Sequence, residues 1–426
     1  MTKADDWVLK RLRRRKRRDA VFEALGVGAV LAALGALLWL LLSVLGSGVS
    51  AFSQHFMILN VVVAPEVVSP DGARDEASLR KANYRRLVQQ AMEARFPQAV
   101  SRSDRRALYS LVSMSGAADE IRTRVVRNPD LIGRTIAIAA PTSDDIDQLL
   151  KGRIDRAAPE ALRRVNDRQI AWADALVVTG EIKRKFNTIF FTRGDSRDPE
   201  LAGIAGAAAG SALALLVTFV LAVPIGVGAA VYLEEFAPKN RLTALIEVNI
   251  NNLAAVPSVI FGLLGLAVFL NAFGMPRSAP LVGGMVLALM TLPTVIIATR
   301  AALKAVPPSV REGALALGAS PLQATTHHVL PMAAPGVMTG SIIGMAQALG
   351  ETAPLLMIGM VAFVTQAPSD FTSPATVLPV QIFLWSDSPE RAWEERASAA
   401  IIVLLGFLIF INLAAILLRR RFQRNG

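Results

Sequence analysis

Arg311-Glu-Gly-Ala-Leu-Ala-Leu-Gly-Ala-Ser-Pro321 runs on through His327 and His328 to Leu330-Pro331, and the apolar stretch that follows carries Gly350-Glu-Thr-Ala-Pro354. Good helix formers follow Glu312, an acid whose place near a helix start suits the helix dipole. Gly318 permits a turn, and Ser320 before Pro321 has the form of an N-cap with proline in the first helical position. The stretch predicts a helix, a turn and a second helix wedged between two membrane-length apolar runs. Such a knob offers a grip to another protein; an ordinary amphipathic connector fits the same periodicity, and the residues alone leave both open.

Outward from this segment the chain is apolar in blocks. Of 426 residues, 53% are hydrophobic and the mean hydropathy is +0.44. Six runs, 24–45, 204–232, 247–270, 280–303, 335–364 and 397–418, are each about 20 residues or longer, enough to cross a hydrocarbon core. A membrane barrel would show short alternating strands instead. The fold class expected is an all-α polytopic membrane protein with six transmembrane helices.

The net charge of +11 gathers in part beside the apolar runs, at Arg11 to Arg18, at Arg300 and Lys304, and at Arg419 to Arg424. Basic flanks of this kind mark the cytoplasmic side, so both termini are expected in the cytoplasm, and no nucleic-acid partner is expected. The first apolar run is longer than a signal-peptide core, which favours an uncleaved anchor, 24–45, behind a basic segment, 1–23. With no cysteine there is no disulfide or thiolate site to read.

Residues 46–200 have the composition of a soluble domain. A strand over 56–63 and amphipathic segments over 77–95, 104–127 and 161–170 predict a small α+β extracytoplasmic domain, whose length exempts it from the positive-inside rule. Residues 201–426 form the second unit, with its connecting loop at 304–332. An acid-rich loop is expected over 365–396, on the outside.

No phosphate-binding Gly-xxxx-Gly-Lys-Ser/Thr loop, His-Glu-xx-His pair or Gly-x-Ser-x-Gly elbow is present. No enzyme, metal or cofactor is expected. Transport-like features remain. Asn249, Asn251 and Asn252 precede a break at Val256-Pro257-Ser258, and Thr291 and Thr294 flank Pro293. Amides in an apolar helix need polar neighbours, whether a permeation path or simple interhelical hydrogen bonds. Gly336, Gly340 and Gly344 recur every four residues and strip one helix face of bulk, allowing close packing. Glu351 is an acid inside an apolar run, with a functional reading and a structural one, an ion pair or a cap, both open. Arg300 is its partner if the fold brings them together.

Glu312, Ala314, Gly318, Leu330 and Pro331 stand at the offsets of the coupling loop of ABC-importer permeases, with Gly313 and His328 as departures. Tyr232-Leu-Glu-Glu-Phe236, Ile250-Asn-Asn-Leu-Ala-Ala-Val-Pro-Ser258 and Leu349-Gly-Glu-Thr-Ala-Pro-Leu-Leu356 resemble the PstA-type permease subunit of the phosphate importer. The resemblance covers about residues 200 to 426; residues 46–200 are an insertion that shorter members lack. It implies a type I ABC-importer permease fold, a second, PstC-like permease subunit, a cytoplasmic ABC ATPase dimer, an extracytoplasmic phosphate-binding protein and surrounding membrane lipid. Glu312, Ala314, Gly318, Leu330 and Pro331 are expected to couple to the ATPase. Asn251, Asn252, Ser258, Thr294, Gln347, Glu351 and Thr352 are expected along the pathway or its gate. Gln347 replaces an arginine frequent in the family.

Overall fold

The computed structural model describes residues 3–72 and 74–424, with side chains except those of 3–14 and 418–424. Arg11 to Arg14 and Arg419 to Arg424, part of the basic clusters above, therefore lie outside the described side chains. Among the described residues, five helices are long and apolar enough to cross a membrane: Arg15–Phe52, Ala205–Phe236, Pro280–Lys304, Pro321–Gly350 and Arg391–Leu417. The pair Arg241–Ala254 and Ser258–Ala272 supplies a sixth span, bent by 100° where Pro257 interrupts the backbone hydrogen bonding. In chain order, with this pair third, these are called the first to sixth spans.

The second, fourth and fifth spans form the centre of the bundle. A methyl group at Gly284 would stand 2.5 Å from Val217 and 2.6 Å from the Ala214 carbonyl, so the second and fourth spans approach at backbone distance. The fourth and fifth spans run antiparallel: Gly336 lies against Ala302, Gly340 against Ala298 and Gly344 against Thr291.

Several boundaries differ from the sequence expectation: the first span runs from Arg15 to Phe52 rather than over 24–45, the fifth starts at Pro321 rather than 335, and the sixth starts at Arg391 rather than 397. The fifth span ends at Gly350, not 364, because Glu351 turns to extended backbone (ψ 129°) and a new short helix, Ala353–Met357, starts with Pro354 in its first turn. Residues 365–396 are not simply a loop. They include the helix Leu378–Ser386 and the start of the sixth span, where Glu395 and Arg396 are buried.

The N-terminal domain is a three-stranded antiparallel sheet in the order β2-β1-β3, with β1 Ser53–Val62, β2 Thr135–Pro141 and β3 Ile182–Phe186. Met57, Leu59 and Val61 alternate inward along β1 and meet Leu87, Val88 and Met92 of the helix Tyr84–Arg95, and Ile121 and Val125 of Met114–Arg127. The predicted helices divide at Ala82-Asn83 and at Ser110 to Ser113, where Asn83 and Ser113 cap the following segments. The third predicted helix starts only at Asp167, behind an Asn166/Gln169 capping box, and runs to Val178. β3 escaped prediction because it buries only Ile182 and so shows no alternation.

Charge fastens this domain to the membrane helices. Lys151, 3% exposed, lies 2.6 Å from Asp147 and 3.0 Å from Glu395 at the start of the sixth span, and His55 bonds Asp147 at 2.8 Å. Gln148 donates to the same Glu395, and Arg153 donates to Ser50 at 2.7 Å beside the end of the first span. Burial opposes the charge of Asp147, yet the His55 and Lys151 contacts hold its carboxyl below the ordinary range. Phe190, Trp385 and Trp393 fill the apolar part of the junction.

Removing a buried ion's partner costs about 3–5 kcal/mol. Lys151→Met should therefore lower the melting temperature of the detergent-purified full chain by several degrees; an unchanged melting temperature contradicts this assignment. A second effect concerns pH. Burial raises Glu200 to about 7, and burial with repulsion from Asp145 raises Asp144 to about 6, against 4.5 and 3.8 ordinarily. The folded chain then holds these protons more tightly than the unfolded one, so their stabilisation is complete below about pH 4 and is lost as pH rises to about 7. Glu200→Gln should shrink the fall in melting temperature between pH 5 and pH 8, and an unaltered fall contradicts the burial argument.

Candidate functional site

The segment that opened the sequence reading folds at the end of the bundle opposite the N-terminal domain. Helix Pro308–Ala316 is followed by Gly318 at φ +88°, a left-handed conformation that favours glycine, and then by the turn Pro321–Ala324. Ser320 accepts from the Gln323 amide at 3.2 Å while the Gln323 side chain accepts from the Ser320 amide at 2.9 Å. A wider helical turn over Thr325–Val329 joins this piece to the rest of the fifth span.

One guanidinium holds the segment. Arg311 meets Glu235 in a two-pronged pair, Nε to Oε2 at 2.9 Å and Nη2 to Oε1 at 2.5 Å, and donates to the carbonyls of Val306 and Leu303 at 3.0 and 2.9 Å. The planar fork of arginine matches both the carboxylate and the helix-end carbonyls, a geometry lysine lacks. The hydrogen bond and charge of Glu235 hold the guanidinium still higher than its ordinary value. Beneath it Leu303, Val306, Val329, Ala333 and Val337 form an apolar cluster with Val227 and Val310. The ends of the second, fourth and fifth spans thus meet under the helix 308–316.

A second group of charges lies beside it. Arg300 contacts Glu234 at 3.3 Å and Glu247 of the bent third span at 2.7 Å, with Lys304 at 3.7 Å from Glu234. Arg300 is therefore spent on these two acids, not on Glu351 as the sequence allowed. Glu312 is exposed, Ala314 is buried, Leu330 is half-buried and Pro331 is exposed. The exposed Glu312 side chain has no ion pair among the described residues.

The pathway candidates are spread along the bundle. Asn251 and Asn252 are exposed on the helix Arg241–Ala254, none of whose residues is buried. Ser258 begins the second half of the bent span, and Thr294 is half-buried beside Pro293. Gln347 is exposed near the end of the fifth span, and Glu351 and Thr352 are half-buried in the break after it, rather than deep inside a helix. That break is held by close packing: a methyl at Gly262 would stand 2.7 Å from the Pro354 Cα. No hydrogen bond joins any two of these side chains among the described residues.

The pairings of Arg311 with Glu235 and of Arg300 with Glu234 and Glu247 were not read from the sequence. The Glu234-Glu235 pair was visible, but its partner lies 76 residues further along the chain.

Residues 222–425 match the family described as the binding-protein-dependent transport system inner membrane component. The permease protein PstA of a Yersinia pestis phosphate transport system is 32% identical over 213 residues, covering 50% of this chain and 71% of that protein. The chain belongs to the PstA-type permease family. PstA 1 of Mycobacterium tuberculosis is 33% identical over 204 residues, 48% of this chain and 66% of its own length in one strain. A solved inward-facing methionine ABC transporter, MetNI, aligns with a TM-score of 0.43 at 17% identity, over 51% of this chain and 95% of its own. Residues 9–160 match a domain of unknown function, DUF3333, and β3 of the sheet lies beyond that range.

If Arg311 is the clamp, Arg311→Ala should expose the segment. Limited proteolysis of the purified full chain should cleave within 308–330 at least tenfold faster, while Glu312→Ala leaves the rate unchanged; equal rates for the wild type and Arg311→Ala contradict the clamp.

Proposed function

We propose that this chain is a permease subunit of an ATP-driven phosphate importer and forms half of its transmembrane pathway. The observation that carries this reading is its 32% identity with a phosphate transport permease over 71% of that protein's length, beside a family match over residues 222–425 that includes the clamped segment. Residues 1–23 then lie in the cytoplasm, 24–45 cross the membrane and 46–200 stand outside it. Residues 201–426 are the permease core, and both termini are cytoplasmic.

On this reading a cytoplasmic ATPase dimer grips the coupling loop 304–332 at Glu312, Ala314 and Gly318, with Leu330 and Pro331 leading into the moving helix. ATP hydrolysis belongs to that dimer, and this subunit is non-catalytic. The helix carrying Asn251 and Asn252, none of whose residues is buried, suits a polar protein face better than lipid, since exposed amides in hydrocarbon lack partners. It is assigned to the seat of a second, PstC-like permease. An extracytoplasmic phosphate-binding protein delivers the solute on the other side, and lipid surrounds the remaining faces.

Ser258, Thr294, Gln347, Glu351 and Thr352 are assigned to the pathway and its gate. A carboxylate repels phosphate, so Glu351, at the break after the fifth span, organises the gate rather than binding the anion. ATP binding draws the coupling loops together, and the pathway switches because nucleotide binds one state more tightly than the other.

The reading is tested by radiolabelled phosphate uptake in cells lacking the native permease. The intact chain with its partners should restore uptake, and Glu312→Arg should reduce it at least tenfold at an equal membrane level. Restored uptake of some other solute without phosphate, or normal uptake by Glu312→Arg, contradicts the assignment. Glu351→Gln should slow uptake severalfold while the ATPase stays bound.

A further inference from the structure

The N-terminal domain holds a cavity of about 520 Å³ on the side facing the stretch that leads into the second span. Its walls come from three places. Lys81 and Arg85 flank the turn between two domain helices, Asp119 and Arg122 project from Met114–Arg127, and Arg193 follows the short helix Thr188–Thr192 just before the membrane. Four cations therefore surround one carboxylate.

That carboxylate is shared. Asp119 pairs through one oxygen with Arg122 and through the other with Arg193 at 3.3 Å. Lys81 and Arg85 have no ion-pair partner among the described residues. A neighbouring hollow of about 230 Å³ shares Arg122 as a wall and adds Arg80, paired with Glu76, and Arg127, which has no ion pair among the described residues. Like charges brought this close repel, and the repulsion is relieved when an anion enters. Each guanidinium carries paired N–H donors, a geometry that suits a tetrahedral oxyanion. A concave volume of this size admits a phosphate group with part of the molecule that bears it.

We propose that this cavity is a binding site for a phosphate group, with Arg85, Arg122 and Arg193 as its principal donors and Asp119 holding two of them in place while it is empty. The group is supplied either by phosphate free in solution or by a phospholipid headgroup at the adjacent membrane surface. The proposal rests on the charge and shape of the cavity and stands apart from the transport reading: the site lies outside the membrane spans, and its test measures binding, not uptake.

The test uses the full chain in two arms. In detergent without phospholipid, binding of inorganic phosphate is measured by calorimetry at low ionic strength. In nanodiscs of neutral phosphatidylcholine, with and without phosphatidylglycerol, retained anionic lipid is counted by native mass spectrometry. The paired substitution Arg85→Gln/Arg122→Gln should weaken binding at least tenfold in one of the arms. Arg85→Lys/Arg122→Lys should keep part of it, and Arg134→Gln, a basic residue outside the cavity, should leave it unchanged. Loss in the first arm identifies free phosphate, and loss in the second a headgroup. Binding in neither arm, or binding that the paired Gln variant retains while its melting temperature matches the wild type, overturns the proposal. If the paired variant fails to fold, the single Arg193→Gln variant is measured in the same two arms, and binding equal to the wild type in both overturns the proposal.

Discussion

The pair between Arg311 and Glu235 is the constraint on which the end of the bundle that carries helix 308–316 depends. A short helix on a membrane surface has little stability of its own, because it buries only one face and leaves its end groups open. Here one guanidinium satisfies a carboxylate at the end of the second span and two carbonyls at the end of the fourth. The apolar cluster below joins the fifth span to the same point. The helix 308–316 is therefore tied to the ends of three spans at one place.

The opposite end is built by the same logic with different residues. Lys151 stands between Asp147 of the N-terminal domain and Glu395 of the sixth span, all three nearly sealed from solvent. Buried charges are tolerated when each finds its counterpart, and removing one leaves the others stranded. The close approach of the second and fourth spans, set by Gly284, connects the two ends. Charge fixes the ends and small residues fix the middle.

Much of this architecture was legible in the sequence. Apolar runs of membrane length gave the second, third, fourth and sixth spans to within about six residues, and Pro257 announced the break in the third. The Gly318 turn and the Ser320 cap were readable because each depends on local backbone chemistry. What escaped depends on distance along the chain. The partner of Arg311 is 76 residues away, and Glu395 reads as one more acid in a polar loop until Lys151 is brought beside it. Glu351 read as an acid deep in a helix because hydropathy does not register the end of the helix at Gly350. β3, with one buried residue, carried no periodic signal at all.

The claim that Arg311 and Glu235 carry motion from the coupling segment to the membrane spans is tested most directly by a charge-reversal cycle. Arg311→Glu, Glu235→Arg and the double variant would be reconstituted with their partner subunits in proteoliposomes, and ATP-dependent phosphate uptake measured beside ATP hydrolysis. The account predicts that each single variant retains the bound ATPase but loses at least nine-tenths of its uptake, about 1.4 kcal/mol or more of coupling, and that the double variant recovers a large part of it. Normal uptake in both single variants would contradict it.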